Sequence, residues 1–203
     1  MRSRTWLITG ALCLLVSFSA LAQHEGHGQK PMSAEEKAMM EAWQKAMTPG
    51  AAHKQLDGLV GTWNTAVKTW MTPGAPVMES GGSSEHKWVL GGRYIEQRFK
   101  GTFMGQPFEG IGYTGYDNVT KQYVGTWMDN MSTGAMVSNG WAQSDGKTWH
   151  FRSTMADPMT GKMMPVDSKT TVVDKDTHIM EMWAPGPDGK MYRSMEITYK
   201  RKM

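Results

Sequence analysis

The sequence predicts a mainly β protein in which an antiparallel meander of about eight to ten strands closes into a barrel behind an N-terminal helix. Short runs rich in aromatic, Thr and Val residues begin at Gly61 and alternate with turn sequences such as Gly91-Gly92 and Asp145-Gly146. The intervals between turns leave no room for crossover helices, so consecutive strands pair with each other. A meander of this size removes its exposed edge strands by closing on itself.

The first residues predict an exported protein. Two arginines near the N-terminus precede an apolar run over residues 6–18, and Ala20 and Ala22 provide the small residues of a cleavage site. The run is too short to cross a bilayer, which requires about 20 apolar residues. We therefore expect residues 1–22 to be a signal peptide cleaved after Ala22, and the mature protein to be periplasmic or secreted without membrane contact. An uncleaved anchor is the alternative.

Composition excludes several classes of function for the mature chain. Its only cysteine, Cys13, lies in the apolar run and would be lost with the signal peptide, which excludes disulfides, thiolate catalysis and cysteine-bound metals. Without Arg2 and Arg4, 20 basic residues stand against 19 acidic ones. A nearly neutral protein has no field that attracts phosphate backbones, so nucleic acid is not an expected partner.

The chain after the signal peptide divides into three parts. Residues 23–32 are polar and aperiodic, which is typical of a flexible N-terminal segment. Ser33 and Glu36 have the spacing of a capping box, so we expect residues 33–60 to form a helical lead-in that caps the barrel. Residues 61–203 then form the barrel domain.

The start of the first predicted strand resembles the opening of a known class of barrels. Gly61-Thr62-Trp63, preceded by a short helix, is similar to the Gly-x-Trp opening of lipocalin-like (calycin) barrels. In those barrels the Trp closes one end and packs under a basic side chain from the last strand. The resemblance implies structural roles for Gly61 and Trp63, with Arg201, or else Arg193 or Lys200, as the cation over the ring.

Nearly the whole chain from about Pro49 resembles one bacterial family of unknown function. The matching blocks occur in order and include Gly61-Thr62-Trp63, Leu90-Gly91-Gly92-Arg93-Tyr94, Gly115-Tyr116-Asp117-Asn118, Asp157-Pro158-Met159-Thr160-Gly161-Lys162 and Pro185-Gly186-Pro187-Asp188-Gly189-Lys190. The resemblance implies an exported member of a domain-of-unknown-function family with a calycin-like barrel and no assigned reaction.

The aromatic content favours ligand binding. The chain contains nine tryptophans, and a barrel of this size can enclose one small molecule among apolar side chains and a few polar ones. The alternative is that the rings simply fill the interior. We predict that a small, largely apolar ligand is oriented by Arg93 and Glu181 and lined by Trp127, Trp149, Phe151, Met180, Met182 and Tyr199.

Methionine is unusually frequent, with 20 residues in the chain. Thioethers and imidazoles are ligands suited to copper, and His24 and His27 lie in the predicted flexible segment. Copper or other metal handling by the His/Met-rich N-terminus is therefore an alternative function. The simpler interpretation is that flexible methionine side chains fill irregular core space.

Haem is the other cofactor to consider, because some related small barrels bind it through one histidine on an inward strand position. The strand candidates are His86, His150 and His178. Alternation puts His150 on the face of Arg152, which we expect to face solvent, and His178 on the face of Met180. His178 is therefore the better candidate, although a strand histidine more often has a structural role.

Enzymatic chemistry has less support in the sequence, and the question of enzyme activity stays open. No nucleophile elbow, Walker loop, dinucleotide fingerprint or His-Glu-x-x-His helix is present. Paired carboxylates in the lumen could act as acid and base, with Glu96, Glu109, Asp129 and Glu181 as candidates. Charged residues of a half-solvated sheet usually point outward, so binding is favoured over catalysis. The oligomeric state is not predicted.

Overall fold

The computed structural model describes residues 31–203, so the predicted signal peptide and cleavage site lie outside the described residues. Helix α1 (Ala34–Met47), the one-turn helix α2 (Ala51–Lys54) and a 3₁₀ helix (Gln55–Leu59) come first. Ten strands follow: β1 (Gly61–Thr69), β2 (Met78–Val89), β3 (Tyr94–Phe103), β4 (Gln106–Asp117), β5 (Gln122–Asp129), β6 (Met136–Ala142), β7 (Thr148–Ala156), β8 (Met163–Asp174), β9 (Thr177–Pro185) and β10 (Met191–Arg201).

The ten strands form a closed barrel in which neighbouring strands are antiparallel. Each strand pairs with the next in sequence, and β1 pairs with β10 to close the sheet. The predicted fold class, an antiparallel meander closed into a barrel behind an N-terminal helix, is confirmed. Among residues 31–203, no helix combines the length and the apolar character that a bilayer crossing requires.

Helix α1 begins with the predicted capping box but does not cover the barrel. The Ser33 hydroxyl accepts a hydrogen bond from the Glu36 amide (3.2 Å), and the Glu36 carboxylate accepts one from the Ser33 amide (2.7 Å). No residue of α1 is buried, and Trp43 exposes 63% of its surface. The helix is held at its C-terminal end, where the Asn118 amide donates to the carbonyl oxygens of residues 45, 46 and 48.

The short helical segment after α1 closes one end of the barrel. Leu56 and Leu59 of the 3₁₀ helix are buried against Ile95, Tyr123 and Trp149. Burial of each leucine contributes about 1.5–3 kcal/mol. The sequence predicts that the whole helical lead-in caps the barrel. Only the short helical segment after α1 does so. This is the closed end of the barrel; the opposite end, where odd-numbered strands finish and even-numbered strands begin, is the open end.

The Gly61-to-Trp63 segment packs beneath the last strand. The Arg201 guanidinium lies 4.2 Å from the centre of the Trp63 ring and donates to the Val60 carbonyl (3.0 Å). The indole N–H of Trp63 donates to the Leu59 carbonyl (3.0 Å). Gly61 has a φ of +145°, and a Cβ atom there would collide with the Arg201 guanidinium, so the position requires glycine.

A β-bulge in β10 changes which of its side chains face inward. Simple alternation places Met191 on the same face as Met195. The register shifts between Arg193 and Met195, however, and Tyr192 lines the lumen together with Met195. Met191 does not line the lumen and is 40% exposed. The extra residue of a bulge reverses the alternation on one side of it, so Met191 and Met195 lie on opposite faces of the sheet.

Candidate functional site

The barrel encloses a cavity of about 540 Å³ that reaches from the closed end to the open end. Its walls are mostly apolar and include the aromatic rings of Phe99, Phe108, Trp127, Trp149 and Phe151. These rings line the interior without filling it. The lumen is therefore the candidate functional site.

Six of the residues predicted to line a ligand lie at the cavity wall. They come from β5, β7, β9 and β10, and those of β7 and β9 follow period-two alternation. In β9, which carries large side chains on both faces, the methionines take the inward side. Contact of these residues with a ligand stays a prediction. The six are Trp127, Trp149, Phe151, Met180, Met182 and Tyr199.

The predicted lumen position of Glu181 is wrong. It lies between two inward-facing methionines, and its side chain therefore points away from the cavity. On the outer face its carboxylate contacts the Lys169 ammonium (2.5 Å) and the Arg193 guanidinium (3.3 Å). These two cations satisfy the charge of Glu181 on the outside of the sheet.

Arg93 is also outside the lumen, so its predicted role in orienting a ligand there is wrong. It precedes β3, in the connection from β2. Its guanidinium donates to the Leu90 carbonyl (3.0 Å) and to the Met47 carbonyl at the end of α1 (2.6 Å). Arg93 therefore ties the helix to the barrel and does not line the cavity.

Two glycines make room for Trp127 at the lumen wall. Gly110 and Gly112 lie beside it on the adjacent strand β4, where Cβ atoms would meet its ring. The ring stacks on Phe108, with centroids 6.5 Å apart and planes 16° apart. Its N–H donates to the Asp129 carboxylate (2.8 Å). The glycines of this strand therefore allow the close approach of a neighbour, as glycine in a strand often does.

Four aromatic side chains form a cluster at the closed end, termed the closed-end cluster: Trp63, His86, His178 and Tyr199. The His178 ring stacks on Tyr199 at a centroid distance of 4.1 Å and meets Trp63 edge to face at 4.4 Å. His86 Nδ1 lies 2.9 Å from the Leu59 carbonyl, which can only accept, so Nδ1 carries the ring proton. Nδ1 of His178 has no hydrogen-bond partner among the described residues.

Burial keeps the closed-end cluster uncharged at neutral pH. It lowers the pKa of His86 to about 4 and, together with the charges of His86 and Arg201, lowers the pKa of His178 to about 3. Burial also raises the pKa of Tyr199 to about 12. The inner end of the cavity is therefore polar but neutral.

The three histidines considered for haem lie in different surroundings. His150 is absent from the cavity wall and stacks on Trp141 with centroids 5.4 Å apart. An imidazole that binds haem iron must direct a ring nitrogen at open space. His178 is only 1% exposed between Trp63 and Tyr199, and both nitrogens of His86 already have partners. The geometry of the closed-end cluster therefore does not favour haem.

The N-terminal histidines considered for copper, His24 and His27, lie outside the described residues. Within residues 31–203, no group of three or more His, Cys, Asp or Glu side chains is arranged to hold a metal ion. Metal handling by the N-terminal segment stays a prediction.

Asp129 is the one ionised side chain at the cavity wall within the described part of the chain. Two other acidic candidates are paired away from the cavity, since Glu96 binds Arg98 (2.8 Å) and Glu109 binds Lys100 (3.2 Å). The bond from Arg98 is the main cause that lowers the pKa of Glu96 to about 2. Residues 31–203 thus form no pair of lumen carboxylates, and the acid–base hypothesis built on such a pair is wrong.

Gln97 is a polar lumen residue that sequence reasoning missed. Its amide nitrogen donates to the Tyr199 hydroxyl (3.2 Å) and lies 3.3 Å from the Ser84 hydroxyl, both near the closed end. The signal that reveals it is the alternation in β3, where Ile95, Gln97 and Phe99 line the cavity between the charged residues of the outer face.

These features define a class of protein. A closed antiparallel meander with a hollow lumen, a short helical cap and a Gly-x-Trp opening under a C-terminal arginine is a lipocalin-like (calycin) barrel. The chain belongs to the family described as Protein of unknown function (DUF1579), which it matches over residues 48–201. The family resemblance of the ordered sequence blocks is thereby confirmed.

Two solved structures share the fold. Rv2717c from M. tuberculosis is 14% identical, with a TM-score of 0.55 and a match that covers 77% of this chain and 100% of that chain. The S-type phycobiliprotein lyase CPES from Guillardia theta is 12% identical, also with a TM-score of 0.55, and the match covers 79% of this chain and 97% of that chain. At these identities the likeness concerns the fold alone. No curated protein sequence matches the chain.

Proposed function

We propose that the protein binds a small, neutral, largely apolar molecule in the barrel lumen. The observation that carries this proposal is the cavity of about 540 Å³ with mostly apolar walls. Ligand pockets have volumes of about 300–1,000 Å³ and similar linings. Methionines in the wall suit a ligand of irregular shape, because flexible thioether side chains repack easily.

The charges of the wall favour a neutral ligand over an anion. Among the residues that the structure describes, no Lys or Arg lines the cavity, and Asp129 supplies a negative charge. His86 and His178 are neutral, because burial lowers the pKa of each. An anionic head group would lose its water without gaining a counter-charge, at a cost of several kcal/mol.

Gln97 is the residue we assign to the polar contact with the ligand. Its amide nitrogen is engaged with Tyr199 and Ser84, and these two bonds leave its carbonyl oxygen free to accept. A ligand with a hydroxyl or N–H group at its inner end and an apolar body would therefore complement the lumen.

We further propose that the protein is exported and works in the periplasm or outside the cell. The two arginines, the apolar run over residues 6–18 and the small residues Ala20 and Ala22 support this location. The intact mass of the protein purified from the periplasmic fraction tests it. A chain beginning at Gln23 is expected, and a chain that retains residues 1–22 in the cytoplasm would contradict export.

Fluorescence titration with N-phenyl-1-naphthylamine, a neutral apolar probe, tests binding in the lumen. Ser168 lies on β8 between Phe151 and Met182, all at the cavity wall, so Ser168→Trp fills the lumen. Thr154→Trp adds the same ring at an exposed position of β7 and is the matched control. We expect Ser168→Trp to weaken binding by about tenfold or more, which is about 1.4 kcal/mol, and Thr154→Trp to leave it unchanged.

A naphthalene sulfonate of similar size tests the preference for neutral ligands. The neutral probe should bind more tightly than the sulfonate. Equal affinity for the two probes would refute the charge argument, and probe binding that survives Ser168→Trp would refute binding in the lumen.

A further inference from the structure

The cavity wall changes its chemistry towards the open end. Among the described residues, eight methionines line the lumen, and three of them lie at the open end on adjacent strands. Met136 is the first residue of β6, Met155 is next to last in β7, and Met164 is second in β8. Because the even strands begin and the odd strands finish at this end, the three side chains lie at the same height.

The pairing register aligns these three residues in a row across the wall, termed the methionine row. Met155 is the direct partner of Met164. Val137 pairs with Thr154, and the next step of the same register places Met136 opposite Met155. Adjacent strands lie about 4.8 Å apart. Methionine side chains have three rotatable bonds, so three sulfurs from neighbouring strands can turn towards one point on the concave side of the wall.

An aromatic ring and a carboxylate continue the row. Trp127 of β5 is the direct partner of Met136. Asp129, two residues further along β5, lines the cavity and accepts a hydrogen bond from the Trp127 N–H (2.8 Å). An aromatic face and a carboxylate both attract a cation. The described part of the cavity wall carries no Lys or Arg that would oppose one.

We propose that the methionine row binds a soft monovalent cation, Cu(I) or its analogue Ag(I), at the open end of the barrel. Thioethers are soft ligands that select Cu(I) over hard cations such as Mg²⁺ and Ca²⁺. Leucines would also make the lumen apolar but offer no donor atom, whereas three thioethers in register beside an aromatic ring and a carboxylate supply the ligands for a metal ion. The site is distinct from His24 and His27 and is independent of the neutral ligand proposed for the lumen.

The pH dependence of Cu(I) affinity distinguishes the methionine row from a histidine site. Thioethers carry no proton in water, so their affinity for Cu(I) does not require deprotonation. An imidazole must be neutral to bind a metal, and a histidine site therefore weakens as the pH falls below about 6.5. The methionine row should bind Cu(I) with the same affinity at about pH 7.5 and about pH 5.5.

Competition with bicinchoninate under anaerobic, reducing conditions measures the affinity for Cu(I). The row variant is Met136→Leu/Met155→Leu/Met164→Leu, which removes the sulfurs and nearly conserves side-chain volume. The control variant is Met128→Leu/Met159→Leu/Met163→Leu, at three exposed methionines outside the cavity wall. We expect one Cu(I) per wild-type chain, affinity at least about a hundredfold lower in the row variant, and no change in the control variant.

Three results would overturn this proposal: no Cu(I) binding by the wild-type protein, equal affinity in the row and control variants, or a tenfold weaker affinity at the lower pH. The last result would assign the metal to histidine. Far-UV circular dichroism and the thermal midpoint establish that the row variant is folded. Binding of N-phenyl-1-naphthylamine by the row variant tests the lumen proposal separately, because leucine leaves the lumen apolar.

Discussion

At the closed end of the barrel Trp63, His178 and Tyr199 expose 0%, 1% and 3% of their surfaces, whereas at the open end Met131 and Met155 expose 52% and 39%. The closed end is built from rigid rings fixed by stacking and by hydrogen bonds to the 3₁₀ helix. The open end is built from flexible thioethers. Packing at the closed end therefore stabilises the barrel, whereas the exposed thioethers of the open end can change their conformation at little cost.

The largest effect is expected from removing a tryptophan at each end. Trp63→Ala should lower the free energy of unfolding by about 3–5 kcal/mol, because Trp63 is fully buried and the helical cap keeps its space from collapsing. Trp127→Ala removes a half-buried ring from the lumen wall and should cost about 1–2 kcal/mol. Urea unfolding measures both values.

The same two variants separate stability from binding. Trp127→Ala should weaken N-phenyl-1-naphthylamine binding several-fold, because it removes aromatic surface from the cavity wall. A Trp127→Ala variant that loses as much stability as Trp63→Ala, with unchanged probe affinity, would contradict the division between the two ends.

The closed-end cluster makes stability depend on pH. The pKa of His86 is lowered to about 4 and that of His178 to about 3, so the unfolded chain binds protons at a higher pH than the folded protein does. The contribution of the two histidines to the free energy of unfolding is therefore fully present above pH ~6.5. It falls as the pH drops towards 4, by up to about 1.4 kcal/mol per pH unit for each histidine. We expect a loss of about 3 kcal/mol between about pH 6.5 and pH 5 in urea unfolding.

The control for the histidine contribution is His86→Gln/His178→Gln. This double variant has no imidazole in the cluster, so the slope of stability against pH between about 6.5 and 4.5 should be much smaller than in the wild type. The slopes are compared, because the variant also changes the stability at neutral pH. Identical slopes would mean that the cluster does not cause the pH dependence.

The fold follows from local features that the sequence displays directly. Turn sequences and short β runs predict the meander, and Gly61-to-Trp63 predicts which end is closed. Strand alternation also places Trp149 and Phe151 at the lumen wall, since β7 has no bulge over these residues. Period-two logic is reliable where the register is regular.

Predicting the candidate site requires information that the sequence of one strand alone does not contain. His86 and His178 come from β2 and β9, which are not neighbours in the sheet, yet their ring centroids lie 5.5 Å apart. Only the closure and curvature of the barrel bring them together. Arg93 lies just before β3, and carbonyl acceptors such as that of Met47 determine the direction of its long side chain. Neither relation is encoded in residue spacing.

A smaller effect is expected where the glycines of β4 support the lumen wall. Gly110→Ala adds a Cβ atom against the Trp127 ring, which must then move. We expect a loss of about 1–2 kcal/mol from overpacking, together with a changed near-ultraviolet circular dichroism signal and weaker probe binding. Gly134→Ala is the control, because its Cβ atom meets only Ser132 at an ordinary distance of 3.5 Å. Unchanged probe binding in Gly110→Ala would show that the ring position does not shape the lumen.

The smallest effect distinguishes two tyrosine hydroxyls, one at each end. Tyr199→Phe removes the acceptor of the Gln97 amide at a position that is 3% exposed, and should cost about 1 kcal/mol. Tyr192→Phe removes a donor to the Met71 carbonyl (3.0 Å) at the open end, where Met71 is 54% exposed and water can replace the lost hydroxyl. This change should stay within about 0.5 kcal/mol. Urea unfolding of the two variants gives the difference. A larger loss for Tyr192→Phe would mean that solvent access does not set the energetic contrast between the ends, since the two substitutions remove the same atom.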